Sequence, residues 1–246
     1  MLFISPRRTP MKISNPDIDL VCDERDIYTR LLPLENADIL ELGCGKAEKT
    51  LAIAKDGKAR TIVALEVDEI QHAENLRCNA PANVRFQLGG AQAIPAADRA
   101  FDVVFMFKSL HHVPLEQMDA AMVEIHRVLK PGGLAYLSEP VFAGEFNEII
   151  RLFHDEQAVR EAAFAAIVRA VATGSFELAS QTFFAAPVHF ETFAQFENNV
   201  LNVTHTRHHL DETLYRQVRQ KFMRHMTPTG VNFDMPIRVD LLRKPG

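Results

Sequence analysis

The 246 residues contain no tryptophan and only three cysteines, Cys22, Cys44 and Cys78. Cysteines so few and so spaced form neither a disulfide framework nor a zinc-ligand pattern, which points to a reducing compartment. No apolar run approaches the ~20 residues that cross a bilayer as a helix, so no membrane partner is expected. Pro6 and Pro10 break the start before a signal-peptide apolar stretch develops, and the expected location is cytoplasmic. Excess positive charge is missing too. Twenty-seven Lys and Arg against 32 Asp and Glu leave a net charge of −5, which argues against nucleic acid as the main partner. What remains is ordinary globular composition, 47% hydrophobic and 24% charged, which excludes wholesale disorder. There is no internal repeat. At ~150 residues per domain, the length suits one domain with a sizeable appendage.

Short apolar runs alternate with helix-compatible stretches through the first two-thirds of the chain. Strands are expected at 38–42, 61–65, 84–88, 101–107 and 134–137, with helices at 46–55, 69–79 and 115–129 between them. Such alternation implies right-handed βαβ units, a parallel sheet and helices on both faces. After Pro140 the rhythm changes. Residues 145–171 read as one long helix or two, followed by a strand at 188–190, helices at 192–201 and 211–226, and a last strand at 237–242. The segment 145–186 is therefore read as a mostly helical cap or lid. Its Phe and Ile side chains are expected to line an acceptor pocket beside the core.

The strongest local signal is Glu41-Leu42-Gly43-Cys44-Gly45-Lys46-Ala47, between the first strand and the first helix that follows it. Glycines allow a tight turn and close backbone approach to a ligand, and the helix N-terminus offers free N–H groups. Glu66 ends the second strand 21 positions after Gly45, where a carboxylate can accept from ribose hydroxyls. Further along stand Ala91-Gln-Ala-Ile-Pro95, Phe101-Asp-Val-Val104, Ser109-Leu-His-His-Val113 and Arg127-Val-Leu-Lys-Pro-Gly-Gly133.

In this order the motifs resemble those of the class I S-adenosylmethionine-dependent methyltransferases, in particular the small-molecule branch related to ubiquinone and menaquinone biosynthesis. The resemblance covers roughly residues 35–140 well. It implies an α/β fold, Rossmann-like and doubly wound, with a mostly parallel seven-stranded sheet and a helical insertion after the fifth strand. It divides the chain into a cofactor-binding core with an N-terminal helix (1–144), the cap (145–186) and a C-terminal completion of the sheet (187–246). It also implies roles. Glu41 and the Gly43, Cys44 and Gly45 backbone would hold the methionine end of S-adenosylmethionine, and Glu66 the ribose. Val67, Ala91 and Gln92 would meet the adenine, and Phe107 or Lys108 would offer a backbone carbonyl to the methionine amine.

Two departures stand out. Gly90-Ala91-Gln92 replaces a segment that in the family often carries an acidic residue for the adenine amino group. Lys108 occupies a position often small or polar, and is expected to point away from the sulfonium or to meet a carboxylate. His111 or His112 is the candidate general base, since imidazole titrates near working pH. The spacing of His205, His208 and His209 fits no common zinc pattern, and no metal is expected. The expected partner is a small-molecule methyl acceptor. Two alternatives are a protein or RNA methyltransferase docking through the basic 205–226 stretch, and a non-catalytic binder of the same cofactor.

Overall fold

The computed structural model describes residues 10–202 and 209–246. Seven strands form one sheet: β1 (Asp38–Leu42), β2 (Thr61–Glu66), β3 (Val84–Leu88), β4 (Phe101–Phe107), β5 (Leu129–Pro140), β6 (Glu177–Phe190) and β7 (Val231–Arg243). Their order is β3-β2-β1-β4-β5-β7-β6. Neighbours from β3 through β5 run parallel, whereas β7 is antiparallel to both β5 and β6. The order reverses between β1 and β4, which opens a crevice beyond their carboxyl ends.

Central strands are apolar on both faces, and their alternation assigns two cores. Leu40, Leu42, Val104 and Met106 face α4 (Met118–Val128) and α6 (Gln157–Ala172). Ile39, Val103, Phe105 and Phe107 face α1 (Glu24–Leu31) and α2 (Glu48–Lys55). On the second face Tyr28 packs edge-on against Phe105 and Phe107, each with ring centroids 5.8 Å apart. Helix α3 (Glu69–Asn75) follows β2 and is capped by Asp68, whose carboxylate accepts from the Ile70 and Gln71 amides.

The segment after β5 departs from the sequence expectation. It holds two helices, α5 (Glu145–Ile150) and α6, but β6 already begins at Glu177, so the expected boundary at 186 falls inside a strand. Residues 177–190 pair with β7 from Glu177↔Arg243 to Phe190↔Val231, and Thr182, Phe183 and Phe184 suit that pleated surface better than a helix. The expected apolar lining is also placed differently. Ala163, Ala166 and Ile167 of α6 are part of the main core with α4. Phe146 and Ile149 of α5 join Phe190, Phe193, Phe196, Phe222 and Phe233 in a third cluster. That cluster includes α7 (Phe193–Phe196), the π-helical turn Glu197–Leu201 and α8 (Glu212–Met223). These side chains are committed to packing rather than to an open pocket. Among the described residues, no helix is long and apolar enough to cross a membrane.

Candidate functional site

The segments singled out in the sequence come together at the carboxyl edge of the sheet. Gly43 and Gly45 adopt left-handed φ values of +71° and +51°. The Gly43 and Cys44 amides both donate to Leu65 O at 2.9 Å, pinning the turn to β2. A Cβ on Gly43 would lie 2.8 Å from Ser109 Cβ, so this glycine is demanded by the protein itself. A Cβ on Gly45 would meet nothing within 4 Å. The space beside Gly45 is open, and no side chain caps the N-terminus of α2 behind it.

Glu66 is buried at the end of β2 and closes the other side. Its carboxylate accepts from Gly45 N–H at 2.7 Å, Val67 N–H at 2.8 Å and Asp68 N–H at 3.0 Å. One carboxylate thus ties the glycine turn to the strand end and keeps an acceptor site on Oε2 for a ligand. Val67, next in the chain, is 64% exposed, an apolar side chain with a free face. Gln92 folds back over Gly90, where a Cβ would meet its Oε1 at 2.5 Å, while Ala91 is buried. Arg127 fastens this loop by donating to Ile94 O and Ala96 O at 2.9 and 2.8 Å.

Glu41 is buried at the carboxyl half of β1 and accepts from Thr50 Oγ1 at 2.5 Å. Burial raises its pKa to about 8 despite the opposing effects of Thr50 and Lys49. Burial thus favours the neutral carboxyl over the charged one when no ligand is beside it. A cation placed beside it would restore that charge. Burial also holds the Cys44 thiol far above its ordinary range. Phe107 points into the aromatic core, stacked on Phe105 at 4.8 Å. Lys108 stands at a left-handed φ of +54° and donates its amide to Ser138 O at 2.7 Å. Among the described residues it meets no carboxylate within ion-pair distance.

Residues 39–133 match the family model for a methyltransferase domain. The matched segment runs from β1 into β5 and holds the glycine turn and Glu66. The sterol 4-C-methyltransferase of Caenorhabditis elegans is 32% identical over 148 residues, 59% of this chain and 43% of that protein. The 27-O-demethylrifamycin SV methyltransferase of Amycolatopsis mediterranei is 30% identical over 118 residues, 46% of this chain and 43% of its own length. The chain thus spans less than half the length of these two curated relatives. The YcgJ protein of Bacillus subtilis shares the fold, with a TM-score of 0.62 at 15% identity over 90% of this chain and 97% of that one.

Within the matched segment the two candidate bases differ sharply. His112 is exposed, and its ring lies 4.1 Å from that of His111. His111 is buried in the single turn Leu110–His112, with Nδ1 bonded to Glu139 and Nε2 3.5 Å from Glu156 Oε1. Burial disfavours its charge, but the two carboxylates outweigh burial and raise the pKa to about 9. The two carboxylates thus favour the imidazolium, a form with no lone pair to accept a proton.

Sequence reasoning missed the residues that surround it. Glu156 accepts from Arg160 at 2.5 Å, and Arg160 also donates to Asn147 at 3.0 Å. Arg238, across from Glu139 in the β5–β7 register, bonds Asp240 at 2.7 Å, and Gln181 donates to Asp240 at 2.6 Å. It also missed Asn75, whose amide donates to Gly45 O at 2.7 Å, and Ser109, which donates to Leu42 O at 2.7 Å. A polar residue at the end of a helix pattern is the only local hint of such a role.

The basic 205–226 stretch is partly spoken for. Lys221 donates to Glu148 O at 2.6 Å, and Arg219 lies over the Phe193 ring at 5.8 Å. His205, Arg207 and His208 lie outside the described residues.

Proposed function

We propose that this protein binds S-adenosylmethionine at the β1–β4 crevice and transfers its methyl group to a small-molecule nucleophile. The observation that carries the reading is the meeting of the open Gly45 turn and the Glu66 carboxylate at one point of the sheet edge. The open space at Gly45, the uncapped α2 and the exposed Val67 fit a bound nucleoside with a charged amino-acid end. When bound, S-adenosylmethionine supplies an electrophilic methyl group on a sulfonium.

Glu66 would accept from the ribose hydroxyls, a charge-assisted pairing stronger than neutral hydrogen bonds. Val67 would cover one adenine face, with the Ala91–Gln92 backbone at its edge. Glu41, neutral while empty, would ionise beside the ligand ammonium. The main contribution of the chain is orientation, since alignment of two reactants is worth effective molarities of order 10⁵ M or more. Relatives acting on a sterol carbon and on a rifamycin oxygen support a small organic acceptor, but they differ in the atom modified. A cytoplasmic location belongs to the same reading and rests on the free cysteines Cys22, Cys44 and Cys78.

The test is calorimetric titration with S-adenosylmethionine, followed by incubation of the radiolabelled cofactor with cell extract. Glu66→Gln keeps one acceptor oxygen for the turn but removes the charge, and affinity should fall by about 1.5–3 kcal/mol. Wild-type affinity in the folded variant sinks the ribose assignment. Label recovered only in protein or RNA sinks the small-molecule acceptor.

A further inference from the structure

His111, His112 and Glu156 meet although 44 positions separate His112 from Glu156 in the chain. One donor atom from each lies within 4.8 Å of the other two. We propose that these three side chains form a binding site for Zn2+ between the turn after β4 and the start of α6.

The geometry supports an ion in several independent ways. Glu139 occupies His111 Nδ1, so Nε2 is the ring atom directed at Glu156. A carboxylate behind a metal-ligating imidazole fixes its tautomer and ring orientation. Two donors at 2.0–2.1 Å from a tetrahedral zinc are separated by about 3.4 Å. His111 Nε2 and Glu156 Oε1 are 3.5 Å apart, so an ion needs almost no movement of this pair. Arg160 holds the other oxygen, Glu156 Oε2, at 2.5 Å and leaves Oε1 turned to the imidazoles. His154 Nε2 also stands 3.0 Å from Glu156 Oε1, a further imidazole at the rim.

The exposed His112 gives the ion a path from solvent. On binding, His111 Nε2 releases its proton to solvent and donates the freed lone pair to the metal. Two imidazoles and one carboxylate select Zn2+ or Co2+ over Mg2+, which prefers an octahedral oxygen shell. No local spacing signals this site, because its ligands come from a turn and a helix start that only the fold brings together.

The experiment uses the full chain, stripped with a chelator and titrated with Zn2+ by calorimetry, with Co2+ absorption as a second readout. The expected result is one Zn2+ per chain, intense visible Co2+ bands of tetrahedral type, and no heat from Mg2+. His112→Ala should weaken Zn2+ at least tenfold, and Glu156→Gln likewise. The combined His205→Ala, His208→Ala and His209→Ala variant should bind as the wild type does. No binding by the wild type overturns the proposal, as does unchanged binding in His112→Ala. Loss of binding in the triple variant with retention in His112→Ala would also overturn it by placing the ion elsewhere. Because His112 is exposed, its variant decides the question even if Glu156→Gln fails to fold. None of these readouts depends on methyl transfer.

Discussion

Gly43 and Gly45 stand two residues apart in one turn, yet the same substitution should fail at each for a different reason. Both have left-handed backbone, which an alanine adopts at roughly 1–2 kcal/mol. At Gly43 the added methyl meets Ser109 Cβ at 2.8 Å, well inside contact distance. Ser109 cannot simply move, since its hydroxyl donates to Leu42 O at 2.7 Å and its neighbours anchor the end of β4. Overpacking of this kind adds about 1–3 kcal/mol, so Gly43→Ala should lose roughly 2–5 kcal/mol of stability. Gly45→Ala meets no atom and should lose only the backbone share, about 1–2 kcal/mol. Its methyl instead occupies the space assigned to the cofactor. Urea unfolding would measure the first quantity and calorimetry with S-adenosylmethionine the second. Adding Ser109→Gly to Gly43→Ala should recover more than about 1 kcal/mol, a coupling expected only of residues in contact. A side chain at Gly43 therefore acts first on the fold, through Ser109, rather than by filling cofactor space. Equal destabilisation at the two positions, no coupling to Ser109, or wild-type affinity in Gly45→Ala would refute the reasoning.

Three further outcomes follow from burial and charge. The Glu41 carboxyl ionises near 4.5 when unfolded and near 8 when folded, so it removes stability as pH rises from about 4.5 to 8. Glu41→Gln should flatten that slope and gain at least about 1.4 kcal/mol at pH 8 relative to pH 5, read by urea unfolding at both values. His111 has the sign usual for a histidine with acidic partners: its contribution is complete below about 6.5 and is lost as pH rises through about 9. Stability should therefore fall between pH 7 and 9.5 in the wild type, and His111→Gln should be lower at pH 7 but flatter across that range. Val67→Ser changes a side chain that is 64% exposed, so unfolding free energy should move by less than about 0.5 kcal/mol while cofactor affinity drops. An equal loss of both would place Val67 in the fold rather than at the ligand.

The cofactor edge was legible because its signals are local. A strand, a turn that needs left-handed backbone and a helix start occupy Asp38–Lys55, and the carboxylate that faces them ends the next strand. The supports were not legible. Asn75 bonds Gly45 from 30 positions away, and Ser109 bonds Leu42 from 67. No period or propensity distinguishes either residue from a solvated one. Strand β6 was hidden for another reason. It follows the Ala-rich α6 closely, its first half Glu177–Thr182 is mixed, and Pro187 interrupts the apolar run Phe183–Val188, as suits an edge strand.

The buried ion pairs show why composition alone misleads at this seam. Glu139, Glu156 and Asp240 sit against His111, Arg160 and Arg238, three acids and three bases, all largely removed from water. Each would be ruinous alone, because a single buried charge costs several kcal/mol of desolvation without a partner. Together they are neutral, so the fold tolerates them only as a complete set. Ion pairs join the turn after β4 to the end of β5 and the start of α6, and the register sets Arg238 of β7, paired with Asp240, opposite Glu139. A cluster of this kind stabilises less than well-packed apolar groups of equal size would. Its effect is on which arrangement is allowed. Any slip of β7 against β5 separates Arg238 from Glu139, and any lifting of α6 strips Glu156 from His111, each leaving charges exposed to an apolar interior. The charges therefore favour this register of the last strand, which the β5 and β6 ladders also hold, and this seat of α6. They also keep the His111 ring aimed at Glu156, the orientation that an ion shared with His112 would require.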